Sequence, residues 1–417
     1  MIKIIEAKNF SYDHINEKAR DVSAAVREII EDVKNNGDKA VIKYEKKFDG
    51  VELKSLEVSE SERDEALKQT GEEFLKILER AAKNIHDFHS KQIRSGFSFS
   101  NNDGVILGQK IIPLERVGLY IPGGTASYPS SVLMNAIPAK IAGCKEIFIA
   151  TPPAVKPEII AAAHVAGVTK IFKMGGAQAV AAFAYGTESV SRVDKITGPG
   201  NIFVAEAKRQ VFGKVSIDMI AGPSEILIIA DENNNPAFIA ADMLAQAEHD
   251  KLASAILITD SKNFAEKVSR EIEIQVEKLA RREIARASID TNGKIILVDS
   301  LDDAVKISND IAPEHLEICV DNPFEWLTEG KIKNAGSVFL GKNSPEALGD
   351  YFAGPNHTLP TMGTARFSSP LSVDDFVKKS QFIYYTPDAL KKVSGDIALF
   401  AQSEGLTGHA NSVLIRN

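Results

Sequence analysis

The chain has 417 residues, of which 49 are Lys or Arg and 57 are Asp or Glu, so its formal net charge is −8. Its apolar share of 44% and charged share of 25% are typical of folded globular proteins and exclude a disordered or collagen-like chain. The length predicts two or three domains. The acidic balance argues against a nucleic-acid partner, which would need a basic face.

The two cysteine residues, Cys144 and Cys319, are too few for a disulfide framework or a thiolate zinc site. Both are predicted to be small core residues in a reducing compartment. The N-terminal segment Met1–Glu6 carries charges where a signal peptide needs an apolar run, and no apolar run approaches the roughly 20 residues that cross a bilayer. We therefore expect a cytoplasmic protein with no membrane partner.

The first hundred residues predict amphipathic helices. Val22, Val26 and Ile29 begin an apolar face with helical spacing, and Gly37 interrupts this helix. Ser59–Glu62 has the pattern of a capping box. We expect residues 1–112 to form an N-terminal helical region that packs on the second of two α/β domains.

From about Val105 the pattern changes to short apolar strands that alternate with helices, which predicts parallel α/β units. The first group of predicted strands is Val117–Ile121, Glu146–Ala150, Lys170–Met174, Val215–Ile220 and Ile226–Ala230. The second group is Ala255–Thr259, Ile295–Val298, Leu316–Val320 and Ser337–Leu340, and one long helix, Phe264–Ala287, is predicted among them. We expect two α/β domains in tandem, at residues 113–228 and 229–371, followed by a helical tail at 372–417.

Four glycine-rich turns follow strands of the first α/β domain. They are Ile121–Gly124, Met174–Gln178, Thr197–Asn201 and Ala221–Ser224. Glycine at a strand-to-helix turn lets backbone N–H groups approach a phosphate at a helix N-terminus. However, the dinucleotide pattern G-x-G-x-x-G is absent, so these turns fit either a nucleotide site or ordinary tight turns of an α/β sheet.

The eight histidine residues fall into two sets. His14, His86, His89 and His164 lie in helix-rich stretches, and the three-residue spacing of His86 and His89 is not supported by further ligand types nearby. The other four lie among Gly, Pro, Asn and acidic residues, in segments typical of binding loops: His249, His315, His357 and His409. Together with Asp350 they indicate a converging metal and acid–base site, although loop histidines with structural hydrogen bonds are the alternative.

These segments resemble the histidinol dehydrogenase family in sequence and in order along nearly the whole chain. The matching stretches are Glu115–Gly124, Gly175–Gln178, Thr197–Asn201, Asp218–Glu225, Leu244–Asp250, Ala312–Glu317, Gly354–Pro360 and Glu404–Ala410. The resemblance implies two incomplete Rossmann-like domains. It also implies NAD- and zinc-dependent oxidation of L-histidinol to L-histidine through histidinaldehyde, the last step of histidine biosynthesis.

The resemblance also assigns roles to residues. It implies that one zinc ion per subunit is held by Gln246, His249, Asp350 and His409, a mixed oxygen and nitrogen ligand set. Ser224, His357 and Glu404 match positions that bind substrate, together with the zinc ligands and His315. Carboxylates suit that role because histidinol is a cation.

Glu314 and His315 match the acid–base pair of the family. A histidine, with an ordinary pKa near 6.5, is suited to accept the hydroxyl proton at neutral pH, and Glu314 is then expected to activate the water that adds to the aldehyde. A thiohemiacetal route would need a reactive cysteine, and Cys319 lies in an apolar strand that disfavours a thiolate.

The NAD contacts implied by the resemblance are Tyr120, Gln178 and Asn201. Tyr120 directly precedes the first glycine-rich turn, and Gln178 and Asn201 lie in the second and third turns. The family is a homodimer whose C-terminal tail crosses to the neighbour, so Glu404 and His409 are expected to complete the partner's site.

Two other functions fit parts of the pattern. A zinc hydrolase could use Glu314 or Glu248 as a base on metal-bound water, but it would leave the glycine-rich turns without a role. A non-catalytic protein that binds an imidazole compound would need the pocket and not the acid–base pair.

Overall fold

The structure, a computed structural model, describes residues 1–11, 21–102, 104–123 and 127–417. His14 and Gly124, named above, lie outside the described residues. The chain divides into two compact units: Met1–Gln92 with Glu115–Phe376, and Ile93–Leu114 with Val377–Asn417. Within the described ranges, none of the helices combines the length and the apolar character needed to cross a membrane.

The helices and strands have the following bounds. The strands are β1 (Lys3–Glu6), β2 (Phe97–Ser100), β3 (Val105–Pro113), β4 (Arg116–Tyr120), β5 (Glu146–Thr151), β6 (Lys170–Lys173), β7 (Lys195–Thr197), β8 (Ser216–Ile217), β9 (Glu225–Ala230), β10 (Ser254–Thr259), β11 (Lys294–Leu297), β12 (His315–Cys319), β13 (Ser337–Leu340) and β14 (Val377–Tyr385). The α-helices are α1 (Ser23–Phe48), α2 (Glu60–Thr70), α3 (Glu72–His89), α4 (Pro129–Ala142), α5 (Pro157–Ala166), α6 (Gly176–Tyr185), α7 (Ile202–Val211), α8 (Pro236–Ala247), α9 (Lys262–Val276), α10 (Arg282–Thr291), α11 (Leu301–Ile311), α12 (Pro323–Thr328), α13 (Glu346–Tyr351), α14 (Pro387–Ser403) and α15 (Thr407–Leu414).

The first sheet has five parallel strands in the order β6-β5-β4-β7-β8. Its central strands are apolar and buried on both faces, as parallel strands covered by helices must be. The strand order reverses between β4 and β7. In open α/β sheets, the crevice outside the carboxyl ends at such a reversal is the usual place for a ligand.

The second sheet has six parallel strands in the order β1-β11-β10-β9-β12-β13. The expectation of two parallel-sheet α/β layers is therefore confirmed. The placement of Ile226–Ala230 in the first group of strands was wrong, because this segment forms β9 in the middle of the second sheet. A fully apolar strand has the same pattern in either sheet, so only its pairing partners distinguish the two positions.

The N-terminal helices pack on the first α/β layer, and the expectation that they cover the second was wrong. Buried residues of α1, such as Val26, Val33 and Val41, share one core with α6, α7 and the strands of the first sheet. Of the described N-terminal elements, β1 joins the second sheet, where it pairs with β11. The interruption at Gly37 is a kink within α1, with φ of 54°, and the capping box at Ser59 and Glu62 is confirmed.

Two local predictions differ from the structure. The predicted helix Phe264–Ala287 is divided into α9 and α10, which are separated by a turn at residues 277–281. The predicted strand Val215–Ile220 is only the two-residue β8, because Asp218 turns away to bond the backbone N–H groups of Gly198 and Met219.

The second unit contains an antiparallel sheet in the order β14-β3-β2 and the helix pair α14 and α15. The two helices bury a small alanine cluster formed by Ala398, Ala401 and Ala410. The predicted tail helix at Asp388–Ser403 corresponds to α14. The strands of this sheet were not predicted, because residues 105–113 pair with residues 377–385, which are distant in sequence.

A short connection brings an edge of each large sheet together. The chain leaves the carboxyl end of β8 and enters the amino end of β9 through residues 218–224. A segment of seven residues spans at most about 25 Å. The carboxyl edge of the first sheet and the amino edge of the second are therefore neighbours, and residues of both edges can contribute to one site.

A buried ion pair fixes the start of this connection. Lys208 on α7 pairs with Asp218, and both side chains are at most 2% exposed. Lys208 also donates to the carbonyl oxygen of Gly198 (3.0 Å), while Asp218 accepts from the Gly198 N–H (2.8 Å). The glycine-rich turn, α7 and the connection are thus held by one hydrogen-bonded pair of opposite charges.

We expect Lys208→Met to lower the free energy of unfolding by about 3–5 kcal/mol, because it leaves a buried carboxylate without its cation. Arg209→Met is the matched control: Arg209 is the next residue on α7, and its exposed side chain pairs with the partly buried Glu206. Loss of this pair should cost less than about 1 kcal/mol. Denaturant unfolding of both variants measures the difference. Equal losses would show that the Lys208 pair has no special structural role.

Candidate active site

At the amino edge of the second sheet, the backbone of one residue, Glu225, holds the side chains of Glu314 and His315. In the register of β9 and β12, His315 lies opposite Ile226. This places both side chains beside Glu225. The Glu225 N–H donates to Glu314 Oε2 (2.8 Å), and the Glu225 carbonyl oxygen lies 3.0 Å from His315 Nδ1. The sheet register therefore orients the two side chains relative to each other.

The protonation state of His315 follows from this contact. A carbonyl oxygen can only accept, so Nδ1 must carry the proton that joins it to Glu225. Burial lowers the pKa of His315 to about 4, although the nearby Asp350 carboxylate opposes this effect. The ring is therefore neutral at physiological pH. Nε2 then has a free lone pair, and it is buried without a hydrogen-bond partner among the described residues. This is the arrangement of a general base.

Several carboxyl groups surround the histidine in the interior. Glu314 Oε2 and Glu346 Oε1 lie 3.6 and 3.7 Å from His315 Nδ1, and Asp350 Oδ1 lies 4.0 Å from Nε2. Burial, and then the neighbouring negative charges, raise the pKa of Glu314 and of Glu346 well above the ordinary value. A cation bound among these groups would oppose that rise, because opposite charge favours the ionised carboxylate.

A set of donors for such a cation is present. His249, which follows α8, and Glu346 and Asp350 on α13 place one ligand atom each within 4.8 Å of one another. Imidazole nitrogen and carboxylate oxygen are ligands that Zn²⁺ and related divalent ions accept. The residues present therefore fit a divalent metal ion.

Gln246, the predicted glutamine ligand, is buried at the end of α8 and faces the Glu346 carboxylate. Two oxygens cannot hydrogen-bond when neither carries a proton, so the amide nitrogen is the atom that donates to Glu346, at 2.8 Å from Oε2. The amide oxygen is then directed away from Glu346. It is the atom of a glutamine that would bind a metal ion.

The predicted substrate residues His357 and Ser224 lie at the same edge. His357 Nδ1 is 3.7 Å from Asp350 Oδ1, and its Nε2 is 3.3 Å from the Ser131 hydroxyl oxygen on α4. Burial lowers the pKa of His357. Ser224 ends the connection between the sheets, and its carbonyl oxygen accepts from the Ser254 N–H (3.0 Å) at the start of β10.

The glycine-rich turns of the first sheet have their N–H groups engaged by side chains. The Gly175 N–H donates to Glu45 (3.0 Å), the Gly176 N–H to the Tyr120 hydroxyl oxygen (3.1 Å), and the Gly198 N–H to Asp218. Asn201 caps α7 by accepting from the N–H groups of Phe203 and Val204. Of the two alternatives for these turns, the N–H groups of Gly175, Gly176 and Gly198 therefore fit the ordinary tight turn and are not open to a phosphate.

The Tyr120 hydroxyl group contacts the Gly175–Gln178 turn, which also contains Gln178. Asn201 is exposed at the end of the Thr197–Asn201 turn. Burial raises the pKa of Tyr120 to about 12, so its hydroxyl group stays protonated.

Glu404 and His409 belong to the second unit, at the end of α14 and on α15, and both are exposed there. Burial raises the pKa of the Cys319 thiol, which supports its exclusion as a nucleophile.

Three acidic residues at these sites were not identified from the sequence. Glu346 lies four residues before Asp350, a spacing that places both on one face of a helix, and this signal could have found it. Glu45 follows Val41 by four residues on the buried face of α1, so it is an acid at an apolar position. Glu225 acts through its backbone, and its side-chain type gave no signal.

The comparisons with known proteins agree on one family. A family model described as Histidinol dehydrogenase matches residues 13–417. The histidinol dehydrogenase of Clostridium acetobutylicum is 56% identical over 400 residues, which cover 95% of this chain and 92% of that protein. That of Listeria monocytogenes serovar 1/2a is 56% identical over 398 residues, with 95% and 93% coverage.

Solved structures give the same result. A crystal structure of histidinol dehydrogenase from Elizabethkingia anophelis has a TM-score of 0.92 and 39% identity, and covers 100% of this chain and 98% of that one. An acetylating aldehyde dehydrogenase from Geobacillus thermoglucosidasius has a TM-score of 0.52 at 14% identity, covering 88% of this chain and 99% of that one, which shows a shared fold alone.

The fold and the comparisons define an oxidoreductase of amino-acid biosynthesis. The chain belongs to the histidinol dehydrogenase family, whose activity is the oxidation of histidinol in histidine biosynthesis.

We expect Glu346→Leu to weaken binding of Zn²⁺ by about 10–100-fold, because it removes a carboxylate from the donor cluster and the acceptor that orients Gln246. Competition with a chromogenic chelator measures the affinity directly. Glu325→Leu, on the exposed face of α12, is the control and should bind metal like the unaltered protein. Unchanged affinity in a folded Glu346→Leu protein would exclude both roles.

Proposed function

We propose that this protein catalyses the NAD- and zinc-dependent four-electron oxidation of L-histidinol to L-histidine, with histidinaldehyde as the intermediate. The observation that carries the proposal is His315: a buried, neutral imidazole whose Nδ1 is held by a backbone carbonyl and whose Nε2 is a free base beside Glu314. Overall, one histidinol, two NAD⁺ and one water give one histidine, two NADH and three protons.

The zinc ligands that we propose are Gln246, His249 and Asp350, together with the partner subunit's His409. The donor cluster around His249 and Asp350 and the orientation of the Gln246 amide support the first three. Bound there, zinc would hold the imidazole and amine of the substrate and neutralise part of the buried negative charge. Ser224, His357 and the partner's Glu404 are proposed to contact the substrate, the last by pairing with its cationic amine.

In the first oxidation, His315 Nε2 accepts the hydroxyl proton of histidinol while hydride leaves its carbon for NAD⁺. Because Nδ1–H stays bonded to the Glu225 carbonyl oxygen, the ring is oriented for this transfer throughout. Histidinaldehyde must next add water. Glu314, held by the Glu225 N–H, is proposed to take the proton from that water. As the hydrate forms, His315 Nε2–H returns its proton to the former aldehyde oxygen and becomes neutral again. His315 then accepts a hydroxyl proton of the hydrate as the second hydride leaves, and the acid that results loses its remaining proton to give the carboxylate.

We propose that NAD binds along the carboxyl edge of the first sheet, in contact with Tyr120, Gln178 and Asn201. Tyr120 ends β4 and Asn201 follows β7, so they flank the point where the strand order reverses. Because the N–H groups of Gly175, Gly176 and Gly198 are already engaged, the contacts would come largely from side chains. This agrees with the absence of the G-x-G-x-x-G pattern.

We further propose a cytoplasmic homodimer in which the second unit of each chain completes the partner's site. The exposed position of the Glu404 and His409 side chains supports this. The unit also exposes many large apolar side chains that an interface would cover: Phe97, Phe99, Ile383, Leu399, Phe400 and Ile415.

The stoichiometry of NADH tests the proposed reaction. With zinc-loaded protein, excess NAD⁺ and limiting L-histidinol, we expect two NADH per histidinol, measured by absorbance, and histidine as the product by chromatography. One NADH per histidinol would limit the activity to alcohol oxidation. No NADH from metal-replete protein would refute the proposal.

Variants of the acid–base pair separate an enzyme from a protein that only binds an imidazole compound. We expect His315→Asn to reduce kcat by about 10²–10⁴-fold, since it removes the base from both oxidations. Glu314→Gln should retain the first hydride transfer and slow the second, so a single turnover would give a burst of one NADH. Both variants should still bind histidinol in calorimetry. Unaltered kcat in either would contradict its assigned role.

Complementation tests the shared site. We expect His249→Ala and His409→Ala each to be inactive, because each lacks one proposed ligand. Refolded together in equal amounts, they should recover about a quarter of the unaltered activity, since half of the dimers are mixed and each of these has one intact site. No recovery in purified mixed dimers would show that His409 does not act in the partner's site.

A further inference from the structure

Glu45, in the last turn of α1, is an acidic residue inside the core of the first α/β layer. Its side chain is fully buried. One oxygen, Oε1, accepts from both the Gly175 N–H (3.0 Å) and the Gln178 side-chain amide (2.8 Å). The other oxygen, Oε2, is buried and has no hydrogen-bond partner in the part of the chain that the structure describes.

This position is unfavourable for a carboxyl group. Burial raises the pKa of Glu45 to about 8, although its two hydrogen bonds oppose the rise. It also lies near the C-terminal end of a helix, where the helix dipole disfavours negative charge, and Asp49 follows one turn later. Val41 and Tyr44 beside it are ordinary buried residues of the same face. An apolar residue would fill this position at a lower desolvation cost, so the packing of α1 does not account for an acid.

Both hydrogen bonds that Glu45 Oε1 accepts come from the turn that begins α6. Gly175 is the N-cap of α6 and Gln178 is its third residue. The intervening Gly176 donates its N–H to the Tyr120 hydroxyl oxygen, so side chains engage the N–H groups of both glycines. Glu45 therefore fixes the start of the helix and the side chain of Gln178 through one atom. The Gln178 amide oxygen is consequently directed away from Glu45, and it is buried without a hydrogen-bond partner among the described residues.

We infer that Glu45 is a positioning residue for the cofactor side of the active site: it holds the Gly175–Gln178 turn and the Gln178 amide in the arrangement that binds NAD. The inference rests on the proposed assignment of Tyr120 and Gln178 to NAD. Glu45 itself does not touch the cofactor. It acts through an acceptor oxygen, because Oε1 makes both of its hydrogen bonds to the turn.

Two conservative variants separate the reach of the acceptor oxygen from the ionisable carboxyl group. Glu45→Gln keeps an acceptor oxygen at the same distance and removes the ionisable group. Glu45→Asp keeps a carboxyl group and withdraws its oxygens by about one carbon–carbon bond, about 1.5 Å, which breaks both hydrogen bonds. We expect the Gln variant to bind NAD⁺ within about twofold of the unaltered protein and the Asp variant about tenfold more weakly, by calorimetry on the zinc-loaded full chain. The KM for histidinol should stay the same in both.

A second measurement does not depend on NAD. Amide hydrogen exchange of the peptide that contains residues 174–179 should accelerate in Glu45→Asp and remain unaltered in Glu45→Gln. If the unaltered protein does not bind NAD⁺, the proposed function fails while the exchange rates still decide whether Glu45 holds the turn. Normal exchange and normal NAD⁺ affinity in the Asp variant would overturn the inference. So would equal losses in both variants, which would mean that an acceptor oxygen at this distance is not sufficient to hold the turn. If the Asp variant does not fold, the Gln variant decides the question. Retained NAD⁺ affinity and unaltered exchange support the inference, and a loss of either overturns it.

Discussion

The pairing of β9 with β12 is the constraint on which the active site depends. Because the two strands are parallel with His315 opposite Ile226, the backbone of one residue, Glu225, contacts both catalytic candidates. Its N–H bonds Glu314 and its carbonyl oxygen bonds His315. A slip of one residue would turn both side chains to the other face of the sheet. The orientation of the acid–base pair is therefore fixed by the pairing of two buried parallel strands.

The second constraint is electrostatic. The interior around His315 contains the carboxyl groups of Glu314, Glu346 and Asp350, and each ionised carboxylate costs free energy unless a cation or hydrogen bonds compensate it. In the free chain, the raised pKa values of Glu314 and Glu346 show this cost. A divalent ion among the donor atoms would relieve it. Metal binding and the ionisation of the proposed water-activating group, Glu314, are thereby coupled.

The sequence predicted much of this arrangement and missed what depends on pairing between distant segments. His249, His315, His357, His409 and Asp350 were expected together. The first unit brings the first three histidines close to Asp350, whereas His409 lies in the second unit. β9 was assigned to the wrong layer and β3 and β14 were not predicted, because strand pairing is not encoded in local periodicity. Glu346 was missed although it lies four residues before Asp350, on the same face of a six-residue helix. The role of Glu45 arises only when α1 packs on α6.

The protonation state of His315 is the most direct test of the central claim that the Glu225 carbonyl prepares a neutral base. In protein labelled with ¹⁵N at histidine, the His315 signals can be assigned by their loss in a variant that lacks this ring. The account predicts, at neutral pH, a ring with its proton on Nδ1 and an unprotonated Nε2, and no titration until the pH falls to about 4. An imidazolium at neutral pH, or a proton on Nε2 in place of Nδ1, would contradict it.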